Sequence, residues 1–243
     1  MRYLLTAFIT VVALFAPVKS GVADMRFSYD IIMWNSTIAE ASIIERDNKR
    51  YRGKQVTKLF GTLKTKERWK KVKNLNNGMI SVIAKSGYAV QTTTNINNNG
   101  KSKDYTFDYK AYYARGFKTQ DNKSRRILVK SRHKSFHDGL SWLQHVRGLD
   151  LRPDYKFNFE VFNLGRFYDV SGVVESTEQV WTPLGEKESH RIRFKITTRR
   201  RGKLKSVAST VWISADPQRI PVQMMMTTKL GLAKILINKI EKY

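Results

Sequence analysis

Apolar and polar residues alternate along much of the chain, and this alternation predicts β-strands. In the segment RIRFKITT, residues 191–198, the apolar side chains Ile192, Phe194 and Ile196 alternate with basic residues. The same alternation continues over residues 206–214, SVASTVWIS. A period of two marks strands with one buried and one solvated face, which is typical of antiparallel sheets.

Turn signals separate the predicted strands. Two aromatic and β-branched runs, residues 26–34 and 37–45, flank Asn35-Ser36 and predict a hairpin. Two asparagine-rich segments, residues 74–78 and 95–100, also predict turns, because asparagine tolerates the left-handed backbone region. We therefore expect many short connections and long strands.

One segment departs from the β pattern. In DGLSWLQHVRGL, residues 138–149, Leu140, Leu143 and Val146 lie at helical spacing, and Gly148 stands near the end. No repeat, low-complexity tail or Pro/Gly-rich linker divides the rest. The chain is therefore predicted to be all-β and mainly antiparallel, with one short helix near residues 138–147.

The first 23 residues have the pattern of an export signal. Arg2 is followed by an apolar run over residues 3–16 and by small residues, with Gly21-Val22-Ala23 as the preferred cleavage site. The run is shorter than the roughly 20 residues that span a bilayer. We expect residues 1–23 to be removed and residues 24–243 to form a single soluble β domain in the periplasm or outside the cell. An uncleaved membrane anchor is the alternative.

Charge and cysteine content limit the classes of binding partner and of chemistry that the chain can have. The chain carries 45 Lys and Arg against 20 Asp and Glu, a net charge of +25, and it has no cysteine. Disulfides, thiolate chemistry and a lipid-modified N-terminal cysteine are thereby excluded. For an exported protein the positive charge favours lipid head groups, lipopolysaccharide or acidic envelope polymers over nucleic acid. A purely solubilising surface is the alternative, and the oligomeric state is left open.

A dense basic cluster marks the predicted hairpin tip between residues 198 and 206. We expect it to contact an anionic surface, including peripheral contact with a membrane, since each basic residue near such a surface contributes on the order of 1 kcal/mol. The alternative is a solvated turn. The residues are Arg199, Arg200, Arg201, Lys203 and Lys205.

No motif for catalysis, metal or cofactor binding is recognisable. His133 and His137 are four residues apart, and His145 could supply a third ligand, but the segment is basic and strand-like. There is no G-x-S-x-G element, and the 14 glycines are scattered singly rather than in a phosphate-binding loop. We expect no enzyme activity, no metal and no cofactor; a hydrolase built from dispersed acids is the least favoured alternative.

Four segments together resemble a known family. They are RFSYDIIMWNSTIAEASI, DGLSWLQHVRGLDLRPD, FEVFNLGRFYDVSGVVESTEQVWTPLGEKESHRIRF and VWISADPQRIPVQ. Their order is similar to that in the exported bacterial proteins grouped as domain of unknown function 3108. The motif positions expected to be structural are Asp138, Ser141, Arg147, Trp212, Asp216, Arg219 and Pro221.

The resemblance implies a fold and a location, and no catalytic residues. It implies a single strongly curved sheet, or an open half-barrel or β-sandwich, similar to periplasmic lipoprotein carriers that hold an acyl chain in the concave side. We expect a non-catalytic periplasmic protein that binds a lipid-like hydrophobic or anionic amphiphilic envelope molecule. The alternative is a structural or assembly factor that acts on envelope polymers or partner proteins through its basic surface.

The stretch ADPQR contains a further predicted turn. Asp216 at the first position and Pro217 at the second suit a type I turn that is completed by Gln218 and Arg219. We expect the Arg219 side chain to reach Asp216 or a carbonyl of the same turn.

Overall fold

Fifteen strands form one sheet in the computed structural model, which describes residues 24–200, 203–228 and 230–242. One α-helix, α1 (Ser141–Arg147), and a 3-10 turn, Glu67–Trp69, complete the elements. The strands are β1 (Met25–Met33), β2 (Ser36–Tyr51), β3 (Lys54–Thr65), β4 (Leu75–Ala84), β5 (Ala89–Asn98), β6 (Lys101–Lys110), β7 (Tyr113–Gln120), β8 (Lys123–Lys130), β9 (His137–Asp138), β10 (Lys156–Asn163), β11 (Arg166–Thr182), β12 (Gly185–Arg200), β13 (Lys203–Ser214), β14 (Pro221–Thr228) and β15 (Gly231–Lys242).

The strand order is linear and almost entirely antiparallel. It runs β8-β7-β6-β5-β4-β3-β2-β1-β15-β14-β13-β12-β11-β10-β9, and only the short β9–β10 pair is parallel. The first eight strands and the last seven thus form two meanders that are joined by pairing of β1 with β15. The predicted all-β, mainly antiparallel fold is confirmed, as one open sheet rather than two stacked sheets.

The sheet is strongly curved, because strands from its two ends pack against each other. Phe107 and Tyr109 of β6 contact Phe162 of β10, with ring centroids 4.7 and 5.5 Å apart. Phe136, just before β9, packs edge-on against Phe167 of β11 at 4.7 Å. A flat sheet would hold β6 and β10 far apart, so these aromatic contacts require the sheet to curl.

Helix α1 fills the concave face of the curled sheet. Leu140, which precedes the helix, and Trp142, Leu143 and Val146 within it are all buried. Trp142 packs against Phe194 of β12 at 5.4 Å between ring centroids. A full burial of each such side chain stabilises the fold by about 1.5–3 kcal/mol. The helix therefore occupies the side of the sheet where the resemblance placed an acyl chain.

The asparagine-rich segments lie mainly in strands, so the predicted turns over residues 74–78 and 95–100 are wrong in extent. β4 already begins at Leu75, and β5 continues to Asn98. The Asn77 side chain accepts a hydrogen bond from the backbone N–H of Asn97 at 3.0 Å, tying the two strands. Pairing with neighbouring strands outweighs the weak local preference of asparagine. Only Asn99 and Gly100, with φ of 51° and 77°, form the turn.

Gly172 of β11 is required by an aromatic ring that covers it. A Cβ atom at this position would lie 2.1 Å from Cζ of Phe157 on β10. The Gly172→Ala substitution is expected to displace that ring and to lower the free energy of unfolding by about 1–2 kcal/mol. Chemical denaturation measures the loss. Gly78→Ala in β4 is the control, since a Cβ there meets nothing within 4 Å; equal losses in both variants would contradict this explanation.

Two sequence predictions concern residues outside the described ranges. The export signal, residues 1–23, lies there, as does Arg201 of the basic cluster. Among the residues that the structure describes, none of the helices has the length and apolar character needed to cross a membrane.

Candidate functional site

The predicted basic hairpin tip is described only in its backbone. β12 and β13 pair up to Arg200 and Lys203, which confirms that the two strands are antiparallel neighbours there. Arg201 lies outside the described residues. The structure describes only the backbone of Arg199, Arg200, Lys203 and Lys205. Contact of this tip with an anionic surface stays a prediction.

Two arginines of the family motif exchange hydrogen bonds at the end of helix α1. The Arg147 guanidinium donates from Nε to the carbonyl of Arg219 and from Nη2 to that of Gln218, both at 2.5 Å. Arg219 donates from Nη1 to the carbonyls of Arg147 and Leu149, at 2.8 and 2.6 Å. The exchange ties the last turn of α1 to the connection between β13 and β14.

The Asp216 turn is present, but Arg219 does not serve it as predicted. The carbonyl of Asp216 accepts the backbone N–H of Arg219 at 3.0 Å, and its carboxylate accepts that of Gln218 at 2.8 Å. The Arg219 side chain bonds instead to the carbonyls of Arg147, the last residue of α1, and of Leu149 just beyond it, because the carbonyls at a helix end have no partner within the helix. Pro221 begins β14, a strand position that proline tolerates.

Arg147 shares its buried environment with an acid. Arg147 is fully buried, and Glu45 of β2 is 4% exposed. Burial lowers the pKa of Arg147, while the nearby Glu45 and Tyr29 oppose that shift. Burial raises the pKa of Glu45, and Arg147 opposes it. The arrangement couples α1, β2 and the β13–β14 connection electrostatically, inside the core rather than on an accessible surface.

The start of the helix is held by a second motif pair. Backbone N–H groups of Leu140 and Ser141 donate to Oδ1 of the buried Asp138, at 2.9 and 2.8 Å. The Ser141 hydroxyl in turn accepts the N–H of Asp138 at 2.8 Å, and Thr92 of β5 donates to the other carboxylate oxygen. Because Asp138 pairs with β10, the helix begins at Ser141 rather than at Asp138.

The histidines form a stack. His137 lies on His145 of α1 with ring centroids 4.4 Å apart, and Tyr88 covers its other side at 4.9 Å. Burial, assisted by His145, lowers the pKa of His137 to about 3, so its imidazole is neutral at neutral pH. His133 is exposed and lies outside this stack. Within the described ranges, no three His, Cys, Asp or Glu side chains converge as metal ligands.

The last motif residue, Trp212 of β13, is also buried. Its indole N–H donates to Oε1 of Glu178 on β11 at 2.6 Å. The Arg191 guanidinium lies over the Trp212 ring, 5.7 Å from its centroid. The motif side chains thus hold elements together, and none of those described lines an open cavity with a reactive group.

A groove on the convex side of the sheet has the chemistry of an anion site, and we call it the basic groove. It has a volume of about 490 Å³ and spans β10 to β13. Because side chains alternate along a strand, its outward residues lie opposite the inward Phe157, Gly172 and Phe194. These outward residues are Lys156, Asn158, Ser171, Val173, Arg193, Lys195 and Ala208.

The cations of the basic groove are only partly neutralised. Arg193 forms an ion pair with Glu175, Nε to Oε1 at 2.7 Å. No carboxylate of the described residues lies within 4.0 Å of the ammonium groups of Lys156 or Lys195. Val173 and Ala208 provide apolar surface between them. The outward basic positions of RIRFKITT were visible in the sequence, but their convergence with Lys156 was not.

A second groove, about 620 Å³ in volume, crosses β15, β1, β2 and β3 and is mixed in charge. Its lining includes Glu40 and Glu241, which pair with Lys66 and Lys239 respectively. Two carboxylates thus lie in this groove beside its cations, whereas none is among the described residues that line the basic groove, so the basic groove is the better anion site.

Comparison with known proteins supports the fold and the family. A β-barrel-like protein of domain of unknown function 1849 from Brucella abortus is similar in structure, with a TM-score of 0.60 and 9% identity, over 91% of this chain and 98% of that one. The hypothetical lipoprotein YmcC from Escherichia coli matches with a TM-score of 0.33 and 8% identity, over 89% and 84% of the two chains. No curated protein matches the sequence. A family model described as a protein of unknown function, DUF3108, matches residues 28–238.

Proposed function

The chain belongs to the DUF3108 family of proteins of unknown function, and we propose that it is a non-catalytic envelope protein that binds an anionic amphiphile in the basic groove. One observation carries this proposal: among the described residues, no carboxylate lies within 4.0 Å of the ammonium groups of Lys156 and Lys195, which stand beside the apolar Val173 and Ala208. An exported location follows from the expected signal over residues 1–23.

The basic groove offers two complementary interactions to such a ligand. A phosphate or carboxylate head group would lie between the ammonium groups of Lys156 and Lys195, with Arg193 at the side. The first carbons of an acyl chain would cover Val173 and Ala208, and each buried methylene contributes about 0.8 kcal/mol. Because the groove is open to water, salt should weaken the charge contribution.

The position of the ligand differs from that in a carrier with a lipid-filled interior. Trp142, Leu143 and Val146 already fill the concave face. Placing an acyl chain there would require the helix to leave, together with the bonds of Arg147 and Arg219. The convex basic groove requires no such change.

A second candidate function is assembly or support of envelope polymers through the basic surface as a whole. The net charge of +25 favours it. In that case affinity should follow total charge and not the particular position of the lysines.

The double variant Lys156→Glu/Lys195→Glu separates the two functions. We expect it to bind a water-soluble, short-chain fluorescent phosphatidylglycerol about tenfold more weakly or worse, since two attractions become repulsions. Fluorescence anisotropy at constant ionic strength measures the affinity. The control Lys123→Glu/Lys130→Glu on β8 changes the net charge equally and should lose less than about twofold. Equal losses would favour the assembly function; no binding by the unmodified protein would refute the groove.

A further inference from the structure

Three connections meet at one end of the sheet and expose a group of apolar side chains, which we call the tryptophan tip. The tip comprises Trp34 between β1 and β2, Trp69 and Val72 between β3 and β4, and Leu230 and Leu232 at the β14–β15 turn. The Trp34 and Trp69 rings lie 6.1 Å apart. A Cβ on Gly231 would lie 3.8 Å from Nε1 of Trp34, so the third connection is also adjacent.

The apolar side chains of the tryptophan tip are unusually accessible. Trp34 is 55% exposed, Val72 65%, Leu230 44% and Leu232 53%. Single exposed apolar residues are common on protein surfaces, but a cluster of large ones marks an interaction site.

Trp34 and Asn35 form the two-residue turn with φ of 49° and 56°, both in the left-handed region. Asn or Gly normally occupies the first position of such a turn, and a bulky side chain is disfavoured there. The turn itself would be better served by asparagine. Arg52 and Leu164 occupy the same left-handed position in other turns of this chain, so the exposure of the Trp34 ring, rather than its backbone, distinguishes this turn.

Cations surround the apolar side chains. The connection between β3 and β4 contains five basic residues and one acid, Glu67, which pairs with Lys70. Arg68 and Lys71 are exposed. Burial lowers the pKa of Lys73, so this lysine lies partly against the protein. The basic residues are Lys66, Arg68, Lys70, Lys71 and Lys73.

We propose that the tryptophan tip docks the protein on an anionic phospholipid bilayer. Trp34, Leu230 and Leu232 would enter the head-group region, where the indole ring of tryptophan is favoured. Arg68 and Lys71 would meet lipid phosphates at the same depth, since combined apolar insertion and basic charge is what binds peripheral proteins to such membranes. The surface is built from three adjacent connections at one end of the sheet, so it can enter a lipid layer without a matching cavity in a partner protein.

The test is flotation with vesicles of phosphatidylethanolamine and phosphatidylglycerol, with phosphatidylcholine vesicles for comparison. The unmodified protein should float with the anionic vesicles and largely remain behind with the neutral ones. Trp34→Asn/Leu232→Ser should weaken flotation about tenfold or more, because it removes two large apolar side chains from the contact. The fold should survive, as asparagine suits the left-handed turn.

Trp181→Ser is the matched control. Trp181 is 66% exposed beside the β11–β12 turn, and the antiparallel strand order places that turn at the opposite end of the sheet. It should float like the unmodified protein. Equal losses in both variants, retained flotation of Trp34→Asn/Leu232→Ser, or equal binding to neutral vesicles would overturn the proposal and favour a protein partner or nonspecific adsorption.

The groove variant keeps this inference separate from the proposed function. Lys156→Glu/Lys195→Glu leaves the tip unchanged and should still float, while Trp34→Asn/Leu232→Ser should still bind the soluble lipid probe. Failure of one result therefore does not decide the other.

Discussion

Replacing Arg147 with methionine is expected to lower the free energy of unfolding by about 2–4 kcal/mol, because it leaves two partly buried backbone carbonyls without their charged donor. The substitution removes both donors to the carbonyls of Gln218 and Arg219. Burial raises the pKa of Glu45 to about 8, so its carboxyl is mostly protonated at pH 7, and loss of Arg147 should raise that pKa further. Urea denaturation followed by circular dichroism measures the change.

The pairing between Arg147 and Glu45 can be tested by a double-mutant cycle. Glu45→Gln keeps a similar shape, so its coupling to Arg147→Met should be small at pH 7, where Glu45 is mostly protonated, and should grow as pH rises past about 8. Arg147→Lys should recover little of the lost stability, since the single ammonium group of lysine cannot donate to both carbonyls in the fork geometry of a guanidinium. A loss below about 1 kcal/mol for Arg147→Met would contradict the role assigned to the buried guanidinium.

Acidification should destabilise the protein through His137. Its pKa is about 3 in the folded state, against an ordinary value of 6.5. Below pH 6.5 the unfolded chain therefore binds a proton that the folded chain does not, so the contribution of His137 to the free energy of unfolding falls as pH drops from 6.5 towards 3. At pH 4 the linked loss is about 3 kcal/mol. His145, whose pKa burial also lowers, adds to the loss in the same direction. Glu45, whose pKa burial raises, contributes in the opposite direction.

His137→Phe should remove this contribution, so between pH 7 and pH 4 it should lose about 3 kcal/mol less stability than the unmodified protein, while keeping the ring stack with Tyr88 and His145. The comparison is the free energy of unfolding at pH 7 and pH 4 for each protein. The exposed His133→Gln is the matched control and should retain the acid sensitivity of the unmodified protein. A His137→Phe protein that loses as much stability at pH 4 as the unmodified one would exclude His137 as the cause.

Many strands could be predicted because the alternation of apolar and polar residues that marks a strand is a local property of the sequence. Residues 191–198 alternate strictly, and β12 contains them, with Ile192 and Phe194 buried. The extent of β4 and β5 could not be predicted. Asparagine favours turns locally, but pairing between these two strands keeps the asparagine-rich segments extended. The helix was located from its apolar spacing, but its first turn was lost to the short strand β9.

The candidate sites depend on contacts that no local pattern encodes. Arg147 and Arg219 lie far apart in the chain, and only the curl of the sheet around α1 brings them together. The basic groove requires the register in which Val173 pairs with both Lys156 and Arg193. The tryptophan tip requires β1, β3 and β14 to end at the same side. Register and curvature are global properties, so a reading of segments in isolation cannot supply them.

Pairing of β1 with β15 has a consequence for biogenesis. Met25 pairs with Lys242, so strand β1 can pair with β15, one of its two neighbours, only after β15 has been synthesised. Contacts between such distant segments slow folding, and until they form β1 presents an open edge to other chains. A nascent or translocating chain would pass through a long interval with that edge unprotected. A chaperone that covers this edge should therefore reduce aggregation more for this protein than for one whose strands pair in the order of their synthesis.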